Sequence, residues 1–396
     1  MFRGEGAPAI AREAAGRVNR YARRVLVSAG GEFEEAGASG LAGEREVALA
    51  FSLEKGGLPL VHGYMREGAG GAEGECSLLG MGEAGYYGAR DPLGTRGLWV
   101  IRQGRGAGSI SSDYRLLGGR GELIPPGAAY EKGMVRVTAR HVDAKRAPKF
   151  DQAAKELAAI LDGVVEERVR GHRRVAVSFS GGRDSSLLAL LASRHTDVVL
   201  CSAYAPGSRD EGQSEKAASL LGLELKTVVL DAKTVAKRSE AAELPPGEAT
   251  LMDKALWCIY TATSELAKRN KARMIILGQL ADELFGGYMK YAKAAAQGAG
   301  AAERMMAEDV KACADRGFLR DEAACSASCE ARFPYADSRV ASFAALLPLD
   351  YKIRGGERKA VLRAAALELG LPEQLAAAPK KAAQFSSGAA KLLKGL

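Results

Sequence analysis

Apolar and polar residues follow two different rhythms along this chain, and the change of rhythm divides it. Through the first third the apolar runs are short: Arg24 to Ser28, Val47 to Ser52, Leu58 to Gly63, Gly85 to Ala89, Leu98 to Arg102, Gly108 to Ser112 and Met134 to Thr138. Glycine pairs such as Gly30-Gly31, Gly70-Gly71 and Gly118-Gly119 separate them. Short strands punctuated by turns predict a layered antiparallel β domain, with helical pieces such as Pro8 to Arg20 outside it. Asp143 to Pro148, charged and ending in proline, reads as a linker.

Beyond it the rhythm lengthens. Leu157, Ile160, Leu161 and Val164 recur at helical spacing within Phe150 to Arg170. Strand-like runs at Val175 to Val177, Val198 to Tyr204, Leu225 to Leu230 and Met274 to Leu277 then alternate with helical patterns at Glu211 to Leu221 and Met252 to Ala267. Strands alternating with helices predict a parallel sheet covered on both faces, an α/β domain after an all-β one. The expected division is 1–147 and 148–396.

Composition narrows the class. A chain of 396 residues with 47% hydrophobic and 26% charged residues can bury two cores, and wholesale disorder is excluded. No apolar run approaches the length of a membrane span, and MFRGEGAPAIAREAAGRV has no uninterrupted apolar stretch of the kind a signal peptide needs. A cytoplasmic protein without a membrane partner is the expectation, and its six cysteines read as reduced thiols. The formal charge of +8 admits an anionic partner such as ATP or tRNA. The basic residues are dispersed and aromatics make up only 6%, so the footprint of an RNA surface is weak and nucleic acid is not the expected partner.

The chemistry concentrates in Val175 to Ser186, VAVSFSGGRDSS, which reads as strand, glycine turn and helix N-terminus. Adjacent Gly181 and Gly182 let the backbone turn tightly with its N–H groups exposed, and the positive end of the next helix points into the turn. The natural guest is a phosphate. Ser180, Ser185 and Ser186 add hydroxyl donors, and Asp184 makes sense beside a phosphate if it holds magnesium. No Gly-Lys-Ser/Thr follows, so this is not a Walker loop, and the GxGxxG spacing of a dinucleotide site is missing.

SGGRDS resembles the SGGxDS signature of the PP-loop ATP pyrophosphatases. Four further stretches, in order, are similar to asparagine synthetase: LGQLADELFGGY at 277–288 to its SGEGSDELFGGY, EARFPYAD at 330–337 to ExRxPFLD, GGERKAVLR at 355–363 to GxxKxxLR, and PKKAAQFSSG at 379–388 to RxKxxFxxG. The chain is therefore identified as a member of the asparagine synthetase-like family. In the first domain GYYGARDPLGTRGLWV, SISSDYRLL and LIPPGAAYEKG resemble the later part of a class II glutamine amidotransferase domain.

The resemblance implies an Ntn-like antiparallel layered domain followed by a PP-loop α/β synthetase domain, with ATP and Mg2+ as cofactors. It implies a nucleotide site of Ser178, Ser180, Gly181, Gly182, Asp184, Ser185, Ser186, Gly278 and Asp282, with the metal on Asp184 and Asp282. Catalytic roles fall to Lys381, Lys380, Gln279 and Lys359. The implied reaction is adenylation of a carboxylate, aspartate first, with loss of pyrophosphate, then displacement of AMP by ammonia. A homodimer is the implied assembly.

Departures limit the transfer. Glutaminases of this class use an N-terminal cysteine after Met1; here Phe2 follows Met1, the first cysteine is Cys76, and no Arg-Gly-Pro-Asp occurs, so a silent glutaminase domain is expected. Gln279 replaces a glutamate that would take a proton from the amine, which leaves that work to water, phosphate or another carboxylate such as Glu283 or Asp321. β-Lactam synthetases also replace that glutamate, so another carboxylate is an alternative substrate, as are a tRNA-directed reaction and a non-catalytic ATP-binding role. The family lysine three places before the phenylalanine is Ala382, with Lys381 and Lys380 just before it. Cys313, Cys325 and Cys329 could make a metal or sulfur-carrying site, but Cys325 and Cys329 are at helical i, i+4 spacing beside small residues, so buried packing is the expected role; Trp99 and Trp257 read as core.

Overall fold

A computed structural model of the chain describes residues 26–28, 50–52, 60–68, 71–82, 85–103, 106–131, 134–137, 147–378 and 383–395. The helix expected at Pro8 to Arg20, most of the linker, and Lys380 and Lys381 lie outside the described residues. The chain forms two compact units. The first comprises 1–141 together with 243–248 and 314–327; the second comprises 142–242, 249–313 and 328–396.

The first unit holds strands β1 (Leu26–Ser28), β2 (Ala50–Ser52), β3 (Leu60–Gly68), β4 (Gly71–Gly82), β5 (Gly85–Arg90), β6 (Trp99–Gln103), β7 (Gly106–Ser111), β8 (Glu122–Leu123), β9 (Ala128–Glu131) and β10 (Met134–Val137). They make two five-stranded sheets, ordered β2-β1-β7-β6-β8 and β10-β9-β5-β4-β3. Pairing is antiparallel throughout except between β1 and β2. Leu79, Leu98, Ile110 and Ile124 are buried here. Gly88 on β5 lies so close to its neighbours that a Cβ would stand 2.7 Å from the Leu78 carbonyl and 2.9 Å from Ile110 Cδ1. The turn in ARDPLGTR is wound on two side chains. Asp91 accepts from Leu93 N, Thr95 Oγ1 and Arg96 N, and the Arg90 guanidinium donates to the carbonyls of Arg96, Gly94, Ile124 and Ala314. Arg115, paired with Asp113, also donates to Ala323 O and Ser326 Oγ, which explains why 314–327 joins this unit.

The second unit is built on a fully parallel sheet of β11 (Arg174–Ser178), β12 (Asp197–Tyr204), β13 (Glu224–Val229), β14 (Met274–Ile276) and β15 (Glu330–Arg332), in the order β13-β12-β11-β14-β15. Helices α1 (Phe150–Val169), α2 (Arg183–Ser193), α3 (Arg209–Leu221), α4 (Ala232–Glu240) and α5 (Leu251–Arg269) connect and cover it. The near-continuous apolar runs of β11, β12 and β14 are what a sheet buried on both faces requires. α1 buries Leu157, Leu161, Val164 and Val165 on one stripe, and Ile160 is half-buried. α5 starts at a capping box: Thr250 Oγ1 accepts from Asp253 N, and Asp253 Oδ2 accepts from Thr250 N.

β12 flanks β11 on one side and β14 on the other, so the strand order reverses at β11. A crevice at the carboxyl ends of β11 and β14 follows from that reversal, and such crevices hold ligands in open α/β sheets. The two segments that leave those ends are the SGGRDSS turn and the LGQLADEL stretch.

The cysteine expectation needs one correction. Cys325 is the last residue of the helix Phe318–Cys325, and Cys329 lies beyond a turn, immediately before β15. Both are buried, but they share no helix; Cys329 Sγ lies 3.3 Å from the carbonyls of Ser264 and Ala272, which share its single S–H donor. Trp99 and Trp257 are buried. Among the described residues no helix is long and apolar enough to cross a membrane.

Candidate functional site

After β11 the chain turns through Ser180-Gly181-Gly182 and enters α2. Gly181 has φ +67°, and a Cβ there would stand 2.5 Å from the Gln213 carbonyl of α3, so only glycine fits. Gly182 caps α2 without a side chain, and the first intrahelical bond runs from Ser186 N to Gly182 O at 3.0 Å. The amides ahead of that bond are the donors that a helix N-terminus leaves over, and they face an anion-seeking end of the helix dipole. Ser180 Oγ and Ser185 Oγ lie 3.4 Å apart in the turn. Ser186 Oγ is buried without a hydrogen-bond partner among the described residues. Ser178 stands apart from this group, its hydroxyl 3.3 Å from Thr263 Oγ1 of α5.

After β14 the chain passes Gly278 and Gln279, takes the left-handed conformation at Leu280 (φ +76°) and enters the short helix α6 (Ala281–Phe285). This bend brings Asp282 to the crevice. Gly278 sits against the turn, where a Cβ would lie 3.6 Å from Asp184 Cβ. Gln279 Nε2 donates to Cys313 Sγ at 3.6 Å. Glu283 is buried and accepts a hydrogen bond from Tyr288 Oη at 2.8 Å; burial, reinforced by the neighbouring Asp282 charge, pushes its carboxyl above the usual range. Burial and the same carboxylates push the Tyr288 phenol well up.

Lys359 joins the two segments. Its Nζ lies 2.8 Å from Asp184 Oδ2 and 2.7 Å from Asp282 Oδ1, and the residue is 2% exposed. Its backbone is left-handed at φ +58°, an uncommon conformation for a residue with a Cβ. Arg183 supports it: the Arg183 guanidinium donates to the carbonyls of Arg358 (3.3 Å), Lys359 (3.5 Å) and Ala376. Arg358 in turn donates to Gly287 O at 2.6 Å, and Tyr335 Oη donates to the Asp184 carbonyl at 3.2 Å.

Ser180, Arg183, Asp184, Gly287, Arg358 and Lys359 are among the residues that line a cavity of about 220 Å³. Its wall carries four cationic side chains, Arg183, Arg209, Arg358 and Lys359, against Asp184, Asp210 and Glu357. The far wall is the C-terminal segment, where Ser386 Oγ donates to Asp210 Oδ2 at 3.0 Å and Ala205 N donates to Ser387 O at 2.7 Å. Asp184 and Asp282 fit a magnesium ion in their donor chemistry: two carboxylate oxygens close enough to share one ammonium can share one hard cation. Among the described residues no third His, Cys, Asp or Glu completes a metal cluster. Magnesium commonly takes one or two carboxylates and completes its shell with phosphate oxygens and water.

Of the residues expected from sequence, Ser180, Gly182, Asp184, Ser185 and Lys359 line the cavity. Asp282 stands behind Lys359. Asp321 is buried against Arg320 in the first unit, 2.7 Å from its Nε. Sequence reasoning missed Arg183, Arg358, Arg209 and Tyr335. Arg183 fills the unspecified place of SGGxDS, and Arg358 directly precedes the motif lysine; the backbone carbonyls they serve carry no sequence signal.

The asparagine synthase family model matches residues 156–311 and 293–396, more than half of the chain. The chain belongs to the asparagine synthase family. A putative glutamine-hydrolysing asparagine synthetase 1 of Methanocaldococcus jannaschii is 28% identical over 278 residues, 62% of this chain and 51% of that protein. Asparagine synthetase domain-containing protein 1 of Mus musculus is 28% identical over 291 residues, covering 56% of this chain and 46% of the relative. The chain thus spans about half the length of these curated asparagine synthase relatives. Among solved structures, NMN synthetase from Francisella tularensis aligns over 63% of this chain and 87% of its own, with a TM-score of 0.34 and 12% identity.

Proposed function

We propose that this member of the asparagine synthase family is an ATP-dependent ligase that adenylates a small carboxylate and transfers the acyl group to ammonia, with aspartate as the first substrate to test. The observation that carries the reading is the convergence of Asp184, Asp282 and Lys359 beside the Ser180–Ser186 turn. Two carboxylates and one ammonium meet at the mouth of a helix N-terminus, which is the charge pattern a polyphosphate with a divalent cation requires.

In this reading the amides at the start of α2 and the hydroxyls of Ser180 and Ser185 bind phosphate oxygens. Arg183 holds the backbone of residues 358 and 359 in place, and Lys359 carries positive charge toward the departing pyrophosphate. Asp184 and Asp282 would hold magnesium, which when bound neutralises charge on the β- and γ-phosphates. Lys380 and Lys381 are the candidates for the charge that develops on the α-phosphate. The first unit acts without glutaminase chemistry of its own: Cys76 lies buried in the middle of β4, where its own nitrogen is a peptide amide and not the free amine that chemistry uses as base. The protein would then take free ammonia and work in the cytoplasm.

Gln279 favours a second substrate class. Its side chain is an amide bonded to Cys313 Sγ, and an amide accepts no proton from an incoming amine, so the acceptor half of the site differs from one that uses glutamate there. A carboxylate other than aspartate is therefore the second reading.

The deciding experiment supplies aspartate, ammonium and Mg-ATP and measures asparagine, AMP and pyrophosphate, expected in equal amounts. ATP–pyrophosphate exchange across a panel of carboxylates separates the two readings. Exchange with no carboxylate at all would remove the ligase assignment.

A further inference from the structure

We infer that the Lys359 ammonium and the divalent cation are alternative occupants of one position between Asp184 and Asp282, so that the metal enters only with a polyphosphate that draws the lysine away. The inference rests on the ATP reading above and adds an order to it.

The geometry makes the two occupants exclusive. Nζ lies 2.8 Å and 2.7 Å from the two carboxylate oxygens, which is where a cation shared by those oxygens would sit. A divalent ion placed there would stand in contact with an ammonium, and like charges at that separation in a buried site repel strongly. Simply withdrawing the ammonium is costly too: the Arg183 charge still acts on Asp184, but two neighbouring buried carboxylates lose the cation they share, which destabilises the fold. One cation must replace the other.

The surroundings decide what moves. Arg183 donates to the carbonyls on either side of the Lys359 Cα, those of Arg358 and Lys359 itself, so the Lys359 backbone is held in its left-handed conformation. The side chain instead has a corridor. It runs across Gly287, where a Cβ would stand 2.3 Å from Lys359 Cε, and this glycine leaves the stem room to swing. Lys359 itself lines the cavity beside Ser180 and Ser185, so a short rotation carries Nζ from the carboxylates onto phosphate oxygens bound there. Lysine suits this work, being a point charge on a flexible stem. Metal and nucleotide are then coupled, each raising the other's affinity by the same factor.

Mn2+ binding, followed by electron paramagnetic resonance, tests this on the full chain. Wild type without nucleotide should show no Asp184-dependent Mn2+ site, and Lys359→Gln should bind Mn2+ at least about tenfold more tightly than wild type, the scale of an ordinary coupling between sites. Lys359→Arg, which keeps the charge, should stay as weak as wild type. Thermal unfolding guards against a folding defect: Mn2+ should raise the Tm of Lys359→Gln and leave wild type unmoved. Should Lys359→Gln not fold even with Mn2+, wild type against Asp184→Asn decides, and a tight Asp184-dependent site in nucleotide-free wild type overturns the inference. Equal Mn2+ affinity in wild type and Lys359→Gln overturns it as well. If Mn2+ with a non-hydrolysable ATP analogue binds neither protein, the ATP reading itself falls and takes the inference with it.

Discussion

Gly287 and Asp282 approach so closely that a Cβ on the glycine would stand 1.9 Å from the aspartate Oδ1. The hydrogen bond from Gly287 N to Asp282 O, 2.8 Å, closes the turn that brings them together. Gly287→Ala must therefore displace the carboxylate, the lysine stem or the turn. We expect a stability loss of about 1–3 kcal/mol, the usual cost of overpacking. ATP binding should weaken alongside it. Urea unfolding together with nucleotide titration checks both, and an alanine variant that binds ATP as wild type does would remove the close approach from the site.

Asp282→Ala should lower kcat/KM for the ATP-dependent reaction by roughly a hundredfold or more, because a divalent ion and the ammonium both lose an anionic partner. Retained turnover would take Asp282 out of the metal site.

Arg183→Met deletes the donors to the carbonyls of Arg358, Lys359 and Ala376 but leaves most of the side-chain volume. The left-handed Lys359 then loses its support. The expected outcome is a loss of about tenfold in kcat/KM, the scale of one hydrogen bond from a charged donor, carried mostly by KM for ATP. Arg183→Lys should recover part of it. Kinetics in which kcat alone falls would contradict a positioning role.

Asp337 caps the helix Ser338–Leu346 and accepts from Arg168 Nη2 at 2.8 Å and from Arg339 Nε at 2.9 Å. Burial pulls its carboxyl upward, but the hydrogen bonds from Arg339 and the charge of Arg168 outweigh that and hold it below the ordinary 3.8. Its pairing thus stabilises the fold fully above the unfolded value and is lost as pH falls through the lower folded value. Asp337→Asn should cost about 3–5 kcal/mol at neutral pH, since it leaves Arg168 buried against a neutral partner. The gap between wild type and variant should narrow as pH drops below 3.8. Denaturation at a series of pH values reads this directly; a gap that widens in acid would reverse the sign argued here.

Much of the second unit could be read from sequence because its rhythm is strong. β11, β12, β13 and β14 lie within a residue or two of the runs expected: β11, β12 and β14 are β-branched and leucine-rich stretches buried on both faces, and β13, a partly exposed edge strand, is still marked by its β-branched residues. β15 was invisible: Glu-Ala-Arg has no strand pattern and pairs only because β14 offers an edge. α4 was invisible for the opposite reason, as Val235 is its one buried residue and no apolar stripe announces it. In the first unit each expected strand has a counterpart among the described residues. The attachment of 243–248 and 314–327 to that unit depends on arginine contacts between distant segments, which no local pattern encodes. In the site, the motifs supplied Asp184, Asp282 and Lys359 as candidates. Their meeting at one ammonium depends on the left-handed turns at Leu280 and Lys359, conformations a sequence of ordinary residues does not advertise.

The bond from Lys359 Nζ to Asp184 Oδ2 spans 175 positions of the chain. Contacts that close such long loops form late, after local helices and neighbouring strands. The parallel sheet can therefore assemble while the carboxylates still lack their lysine, and nucleotide binding becomes a reporter of completed folding. During refolding from urea, recovery of ATP affinity should lag behind recovery of helical circular dichroism, with the docking of the last third of the chain as the step between them.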